Sequence, residues 1–288
     1  MEKIILYYKF SPVLDPEMTM AWQRQLCERY GLKGRVIVAK QGINGTLGGD
    51  VEGLKTYVRE MNKSRDFKDI EYKWSSGGPA DFPRLSVKVR PELVTLAPGE
   101  EFDVFNSTKG LRPQEWHAYL DANPDVTLLD ARNDYESAIG LFKGKNVVAP
   151  PIKNFRDIKQ HLEKLPKDKP ILTYCTGDIR CEYLSAYMRH KGFKEVYHLD
   201  GGIAKYGEVY KDKGHWDGKL FVFDKRMSIA FSAESKDIGV CAMCGEATSD
   251  YVDCDNSNCA KLVLVCKDCR NRSHSCPECG AKLGSLAG

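Results

Sequence analysis

Through residues 1–95, apolar and polar positions fall into short strand-like runs interrupted by two stretches of helical period. Ile4 to Phe10 is the first β-leaning run. Asp15-Pro16 then supplies an N-cap followed by proline at the first helical position, and Met18, Trp22, Leu26 and Tyr30 recur every fourth residue up to Gly31. Arg35 to Ala39 and Gly42 to Leu47 predict two further strands, with glycines marking their turns. Asp50 opens a second helix with Leu54, Tyr57, Val58 and Met61 inward, and Ile70 to Trp74 and Leu85 to Val89 complete the series. The order β-α-β-β-α-β predicts a ferredoxin-like, acylphosphatase-like α+β sandwich. That fold hosts many functions and identifies none by itself.

Residues 96–110, approached through Pro91 and containing Pro98-Gly99, read as a linker or crossing segment. From 111 to 217 strands and helices alternate. Helices are expected at Pro113 to Asp121, Asn154 to Lys164 and Glu182 to Lys191, the last stopping at Gly192. Strands are expected at Val126 to Asp130, Pro170 to Tyr174 and Val196 to Leu199, and Asp200-Gly201-Gly202 turns into a final helix. Such alternation predicts an α/β domain with a mostly parallel sheet covered by helices. Residues 218–288 read as a connecting strand and a cysteine-rich tail without a large apolar core.

The strand ending at Tyr174 runs into Cys175-Thr176-Gly177-Asp178-Ile179-Arg180-Cys181 and then a helix. A cysteine at that junction faces loop amides and the roughly +0.5 charge of a helix N-terminus. With Arg180 nearby, its thiol is expected to fall from about 8.5 into the ~3.5–7.5 range, so that Cys175 works as a thiolate. Cysteine phosphatases need five residues between nucleophile and arginine, and here there are four. The smaller loop suits a sulfane sulfur or another small group better than a phosphoryl group. Cys181, at the helix start, is expected to serve packing more than chemistry.

Eleven cysteines change the picture at the C-terminus, where eight fall within 39 residues: Cys241-x2-Cys244, Cys254-x4-Cys259, Cys266-x2-Cys269 and Cys276-x2-Cys279. Four such pairs provide two tetrahedral thiolate sites of the kind structural zinc prefers, and metal would supply the folding energy that the tail's core lacks. Interleaved and sequential pairings are both compatible with the spacing; His274 reads as an ordinary loop histidine. No apolar stretch approaches the ~18 residues of a membrane span. The first residues, Met1 to Tyr8, turn polar too quickly for a signal peptide. The expectation is a cytoplasmic protein whose cysteines serve metal or catalysis rather than disulfides. No nucleotide or flavin motif is evident. Net charge is only +3, but residues 1–95 carry 16 Lys/Arg against 12 Asp/Glu. That surplus makes a nucleic-acid partner a candidate, with Arg59, Lys63 and Arg65 as RNA contacts.

Taken together, these stretches resemble a known family. Leu128 to Glu136, the Cys175 loop and Asp200-Gly201-Gly202 resemble a rhodanese domain. Gln41 to Leu47, Ser86 to Glu92 and the cysteine-rich tail after Phe221 to Met227 resemble the rhodanese-domain tRNA uridine hydroxylases of bacteria. The resemblance implies oxygen-dependent conversion of a tRNA wobble uridine to 5-hydroxyuridine, with tRNA as partner and Cys175 as the persulfide-type active cysteine. That family's loop usually carries glycine where Asp178 stands. Turned toward the thiolate, a carboxylate there would oppose a bound anion; turned away, it would change little. Two other readings remain: a sulfurtransferase that carries sulfane sulfur on Cys175, and a non-catalytic adaptor that binds partners through its rhodanese and zinc domains.

Overall fold

The computed structural model describes residues 1–259, 261–272, 274–276, 278 and 279. The N-terminal unit contains β1 (Glu2–Phe10), α1 (Pro16–Arg29), β2 (Lys33–Ala39), β3 (Gly42–Asp50), α2 (Val51–Lys63), β4 (Lys73–Ser76) and β5 (Leu85–Val89). Its sheet runs β4-β1-β3-β2-β5, antiparallel except that β5 lies parallel to β2. The first four strands have the ferredoxin-like order expected from the sequence, and β5 adds an edge. Strand alternation decides what each face does. Ile5, Tyr7, Val36, Val38, Ile43 and Leu47 point into a core closed by the two helices. Ile4, Leu6, Tyr8, Arg35, Asn44 and Thr46 occupy the opposite, helix-free face.

Local sequence explains most boundaries. Asp15 and Asp50 each accept a backbone N–H as N-cap, at Met18 and Glu52. Two details differ from expectation. The buried face of α1 is Gln23, Leu26 and Cys27, and Met18 is exposed. A buried glutamine is stable there because Tyr57 donates to its Oε1. The fourth strand also begins at Lys73 rather than Ile70: Ile70 and Tyr72 both pack into the helix-covered core, but the ladder with β1 covers only Lys73 to Ser76.

The central unit is a parallel sheet ordered β6-β11-β10-β7-β9. In chain order it comprises β6 (Gly110–Leu111), α3 (Pro113–Ala122), β7 (Thr127–Asp130), α4 (Asp134–Ser137), β8 (Gly140–Phe142), β9 (Asn146–Val148), α5 (Lys159–Leu162), β10 (Ile171–Tyr174), α6 (Ile179–His190), β11 (Val196–Leu199) and α7 (Gly202–Tyr210). The helix expected over Asn154 to Lys164 is a 3-10 turn, Phe155–Ile158, followed by the single turn of α5. Residues 91–110 do not run free in solvent, since Leu96, Ala97 and Val104 bury in the same core as Leu184 and Met188.

Short antiparallel pairs follow: β12 (Trp216–Gly218) on β8, β13 (Leu220–Phe221) on β14 (Ser228–Ile229), and β15 (Tyr251–Asp253) on β16 (Leu262–Leu264). The tail is docked onto the central unit, where the Tyr251 hydroxyl donates to the Tyr135 carbonyl and its ring meets Phe221 edge-on. No helix among the described residues is long and apolar enough to cross a membrane.

Candidate active site

Cys175 follows the last residue of β10, and α6 starts at Ile179, so the loop between them has four residues. Its backbone is held from below by α7. Ile203 and Ala204 donate their amides to the carbonyls of Cys175 and Thr176 at 2.9 and 3.0 Å. Gly202 makes this approach possible: its φ is +68°, and a Cβ there would lie 2.7 Å from both carbonyl oxygens. The loop carbonyls are thus turned toward α7. Among the described residues, the amides of 176–180 donate to no carbonyl, the condition of an anion-receptive loop.

The thiol electrostatics follow from the same geometry. Cys175 is almost completely buried, which alone would raise its thiol. The Cys181 thiol, the Arg180 charge and the Cys181 N–H together outweigh burial and bring it down to about 6. Cys181 moves the opposite way, pushed up by burial and by the neighbouring Cys175 sulfur, while Thr173 Oγ1 lies 3.4 Å from it. Within the pair, the thiolate belongs to Cys175 and the proton to Cys181.

Arg180 is not a free anion receptor. Its guanidinium grips Glu136 through two bonds of 2.6 and 2.7 Å, and Thr176 Oγ1 donates to the same carboxylate at 3.1 Å. Burial would raise the Glu136 carboxyl, yet Arg180 holds it below the ordinary range. Beneath lies a second ion pair, Arg132 with Asp130, fully buried, with Arg132 also donating to the Glu136 and Gly140 carbonyls. The Asp130 to Glu136 run therefore builds the floor that fixes Arg180.

Asp178 is turned away from the sulfur into a buried network. It pairs with His198 Nδ1 at 2.7 Å and accepts from Tyr8 at 2.9 Å. Tyr8 also reaches Glu182 at 2.8 Å, so the network joins the N-terminal sheet to α6. Burial would lower the His198 imidazole, but Asp178 outweighs it and raises it to about 9. An imidazolium thus partners the carboxylate, although the Asp178 charge still pushes against the Cys175 thiolate. Burial, with Asp178 beside it, raises the Glu182 carboxyl.

Cys175, Thr176, Gly177, Ile179 and Arg180 open onto a cavity of about 700 Å³ between the loop, the helix-free face of the N-terminal sheet and residues 220–231. Two partly exposed aromatics, Trp74 and Phe223, line it, and Phe223 lies 5.9 Å from the Arg180 guanidinium. Arg35, Arg90 and Arg156 also line it and make no ion pair among the described residues. Arg59, Lys63 and Arg65 are exposed on and just after α2, across the sheet from the cavity. Sequence reasoning missed Glu136, Tyr8, His198 and the cavity arginines. One signal was available, a histidine inside the otherwise apolar strand Val196 to Leu199.

The eight tail cysteines converge as two groups, Cys241, Cys244, Cys266 and Cys269, and Cys254, Cys259, Cys276 and Cys279. The pairing is interleaved. Sulfurs of Cys244 and Cys266 lie 3.7 Å apart and those of Cys259 and Cys276 3.8 Å apart. Zn–S bonds of about 2.3 Å give a tetrahedron edge of about 3.8 Å, so both groups fit such an ion. Backbone amides of Cys266 and Cys276 donate to Cys241 and Cys254 Sγ at 3.3 and 3.2 Å, as partners of metal-bound thiolates do.

Fold and loop define a rhodanese-like protein fused to an acylphosphatase-like domain. Family models agree: a UPF0176 acylphosphatase like domain matches residues 2–93, a Rhodanese-like domain 113–208, and a Rhodanase C-terminal model 217–282. Full-length relatives narrow this further. A tRNA uridine(34) hydroxylase of Corynebacterium urealyticum is 47% identical over 96% of this chain and 96% of its own. Proteins of the same name from an Arthrobacter species and from Corynebacterium kroppenstedtii are 46% and 45% identical, over 96% and 98% of this chain and 98% and 99% of theirs. The chain belongs to the tRNA uridine(34) hydroxylase family.

Proposed function

We propose that this protein hydroxylates the wobble uridine of tRNA at C5, with molecular oxygen as co-substrate and Cys175 as the reactive group. The observation that carries the reading is a thiolate held at the base of a cavity large enough for a nucleotide, in a chain aligned end to end with named hydroxylases. Arg180, pinned by Glu136, positions the loop and supports the thiolate. Thr176, Gly177, Asp178 and Ile179 shape the loop, and Cys181 retains the proton of the pair.

Substrate grip falls to the cavity walls in this reading. Arg35, Arg90 and Arg156 meet phosphates, and Trp74 and Phe223 offer faces for bases to stack on. The three units, 1–95, 111–217 and 218–288, joined by 96–110, each contribute to that wall or its support. Two zinc ions, one per cysteine group, hold the tail; their contribution is structural, since each group offers four thiolates and no open position.

The test is nucleoside mass spectrometry of tRNA from cells lacking the protein and cells complemented with wild type or Cys175→Ser. Loss of 5-hydroxyuridine on deletion, restored only by the wild type, is expected, while purified Cys175→Ser still binds tRNA. Normal 5-hydroxyuridine after deletion, in a strain with no parallel pathway, would overturn the reading. Thiosulfate-to-cyanide turnover with unchanged tRNA would replace it with a sulfurtransferase.

A further inference from the structure

A third cluster of ligand-type side chains lies on the central unit and does not line the Cys175 cavity. His117 and Asp121 are one helical turn apart on α3, and His215 immediately precedes β12. We propose that His117, Asp121 and His215 form a binding site for one divalent transition-metal ion that favours imidazole, such as Zn²⁺, Ni²⁺ or Co²⁺, separate from both thiolate groups.

Convergence is the first argument. Both Nε2 atoms face one carboxylate, His215 at 2.8 Å from Asp121 Oδ1 and His117 at 3.5 Å from Oδ2. Metal–donor bonds of about 2.1 Å give donor–donor edges of about 3.0 Å in an octahedron and 3.4 Å in a tetrahedron, so two edges already have the right size. All three donors lie within 4.8 Å of one another.

Orientation is the second. His117 Nδ1 pairs with the Tyr206 hydroxyl at 2.8 Å, and that hydroxyl also accepts the backbone N–H of His215 at 3.0 Å, which ties the two segments together. The His117 ring stacks on Tyr210 at 4.2 Å and 7°. The second nitrogen of a metal-binding histidine is usually fixed in this way, which sets the tautomer and aims the free nitrogen at the metal. Accessibility is the third: the side chains are 25%, 58% and 27% exposed, so an ion reaches them without unfolding. Two imidazoles and one carboxylate leave coordination positions open to water or to a donor ligand, unlike either thiolate group.

The probe is Zn²⁺ itself, added by equilibrium dialysis to the full-length protein after its thiolate sites are saturated. One further equivalent per chain is expected. His215→Asn and the His117→Asn/His215→Asn pair should lose it, and Asp121→Asn, on an exposed side chain, should weaken it at least tenfold while keeping the fold. Tyr206→Phe keeps the packing and removes only the positioning hydroxyl; it should weaken binding by about 10–100-fold. Circular dichroism in metal-free buffer checks that each variant is folded. In ¹⁵N-histidine spectra, only His117 and His215 of the six histidines should shift with the added equivalent. No extra equivalent in the wild type, one that persists in the double variant, or shifts at other histidines would overturn the site.

Discussion

At position 178 a carboxylate stands where the backbone turns through φ +83°, a conformation that usually favours glycine. The strain is of order 1 kcal/mol, and the buried pair with His198 is what a carboxylate gains there. Removing one partner leaves an unpaired buried charge, so His198→Gln is expected to cost roughly 3 kcal/mol in urea denaturation. Asp178→Gly combined with His198→Gln should recover most of that loss, because neither charge then remains. The pH sign follows from the direction of the shift. His198 is raised from 6.5 to about 9 in the folded chain, so its stabilisation is complete below pH 6.5 and is lost as pH rises through about 9. Denaturation midpoints that do not fall across that window relative to His198→Gln would contradict this. At Cys175 the expected outcome is alkylation with a midpoint near pH 6, with Cys181 labelled far more slowly; peptide mass spectrometry after brief labelling reads both.

At the level of elements, the β10–loop–α6 unit was legible because its signals are local: an apolar strand, a tight loop and a helix free of Gly and Pro. The start of α6 at Ile179, three residues before Glu182, was less so, since Asp178 ends the loop with a positive φ that no propensity announces. Its partners were harder still. Glu136 meets Arg180 across 44 residues of sequence and Tyr8 meets Asp178 across 170, and nothing in either local pattern encodes the meeting. The tail shows the same limit, because spacing gave the ligands and only the fold gave their pairing. Interleaving predicts a specific metal count. Cys241→Ser, Cys266→Ser and their combination should each leave about one zinc per chain, whereas Cys241→Ser with Cys254→Ser should leave none. Metal analysis decides it, and loss of both ions from the Cys241/Cys266 combination would speak for another pairing.

For the whole molecule, the decisive arrangement is that the N-terminal sheet turns its helix-free face to the Cys175 loop. Tyr8 to Asp178, Lys73 to the Gly177 carbonyl and Tyr183 to Glu92 hold the two units together at 2.9, 3.3 and 2.7 Å. Charge counting over residues 1–95 cannot tell one face of a sheet from the other: Arg59, Lys63 and Arg65 lie on the helix side, and Arg35 and Arg90 line the cavity on the other. The consequence is measurable. Neutralising Arg35, Arg90 or Arg156 should reduce the slope of log affinity for tRNA against log salt by about 0.7–0.9 each. Arg59→Ala, Lys63→Ala and Arg65→Ala, across the sheet, should leave it nearly unchanged; the reverse ranking would move the RNA to the outer face of α2.

The interleaved cysteines also govern how the tail comes into being. As the chain leaves the ribosome, the first thiolate group is complete only when Cys269 has emerged, and by then two members of the second are already waiting inside its span. The second closes only at Cys279, ten residues later. The two spans overlap along the chain, so the second group cannot be complete before every member of the first has emerged. A stop codon between Cys269 and Cys276 would leave the first group complete and strand Cys254 and Cys259 beside it as two unligated thiols open to oxidation.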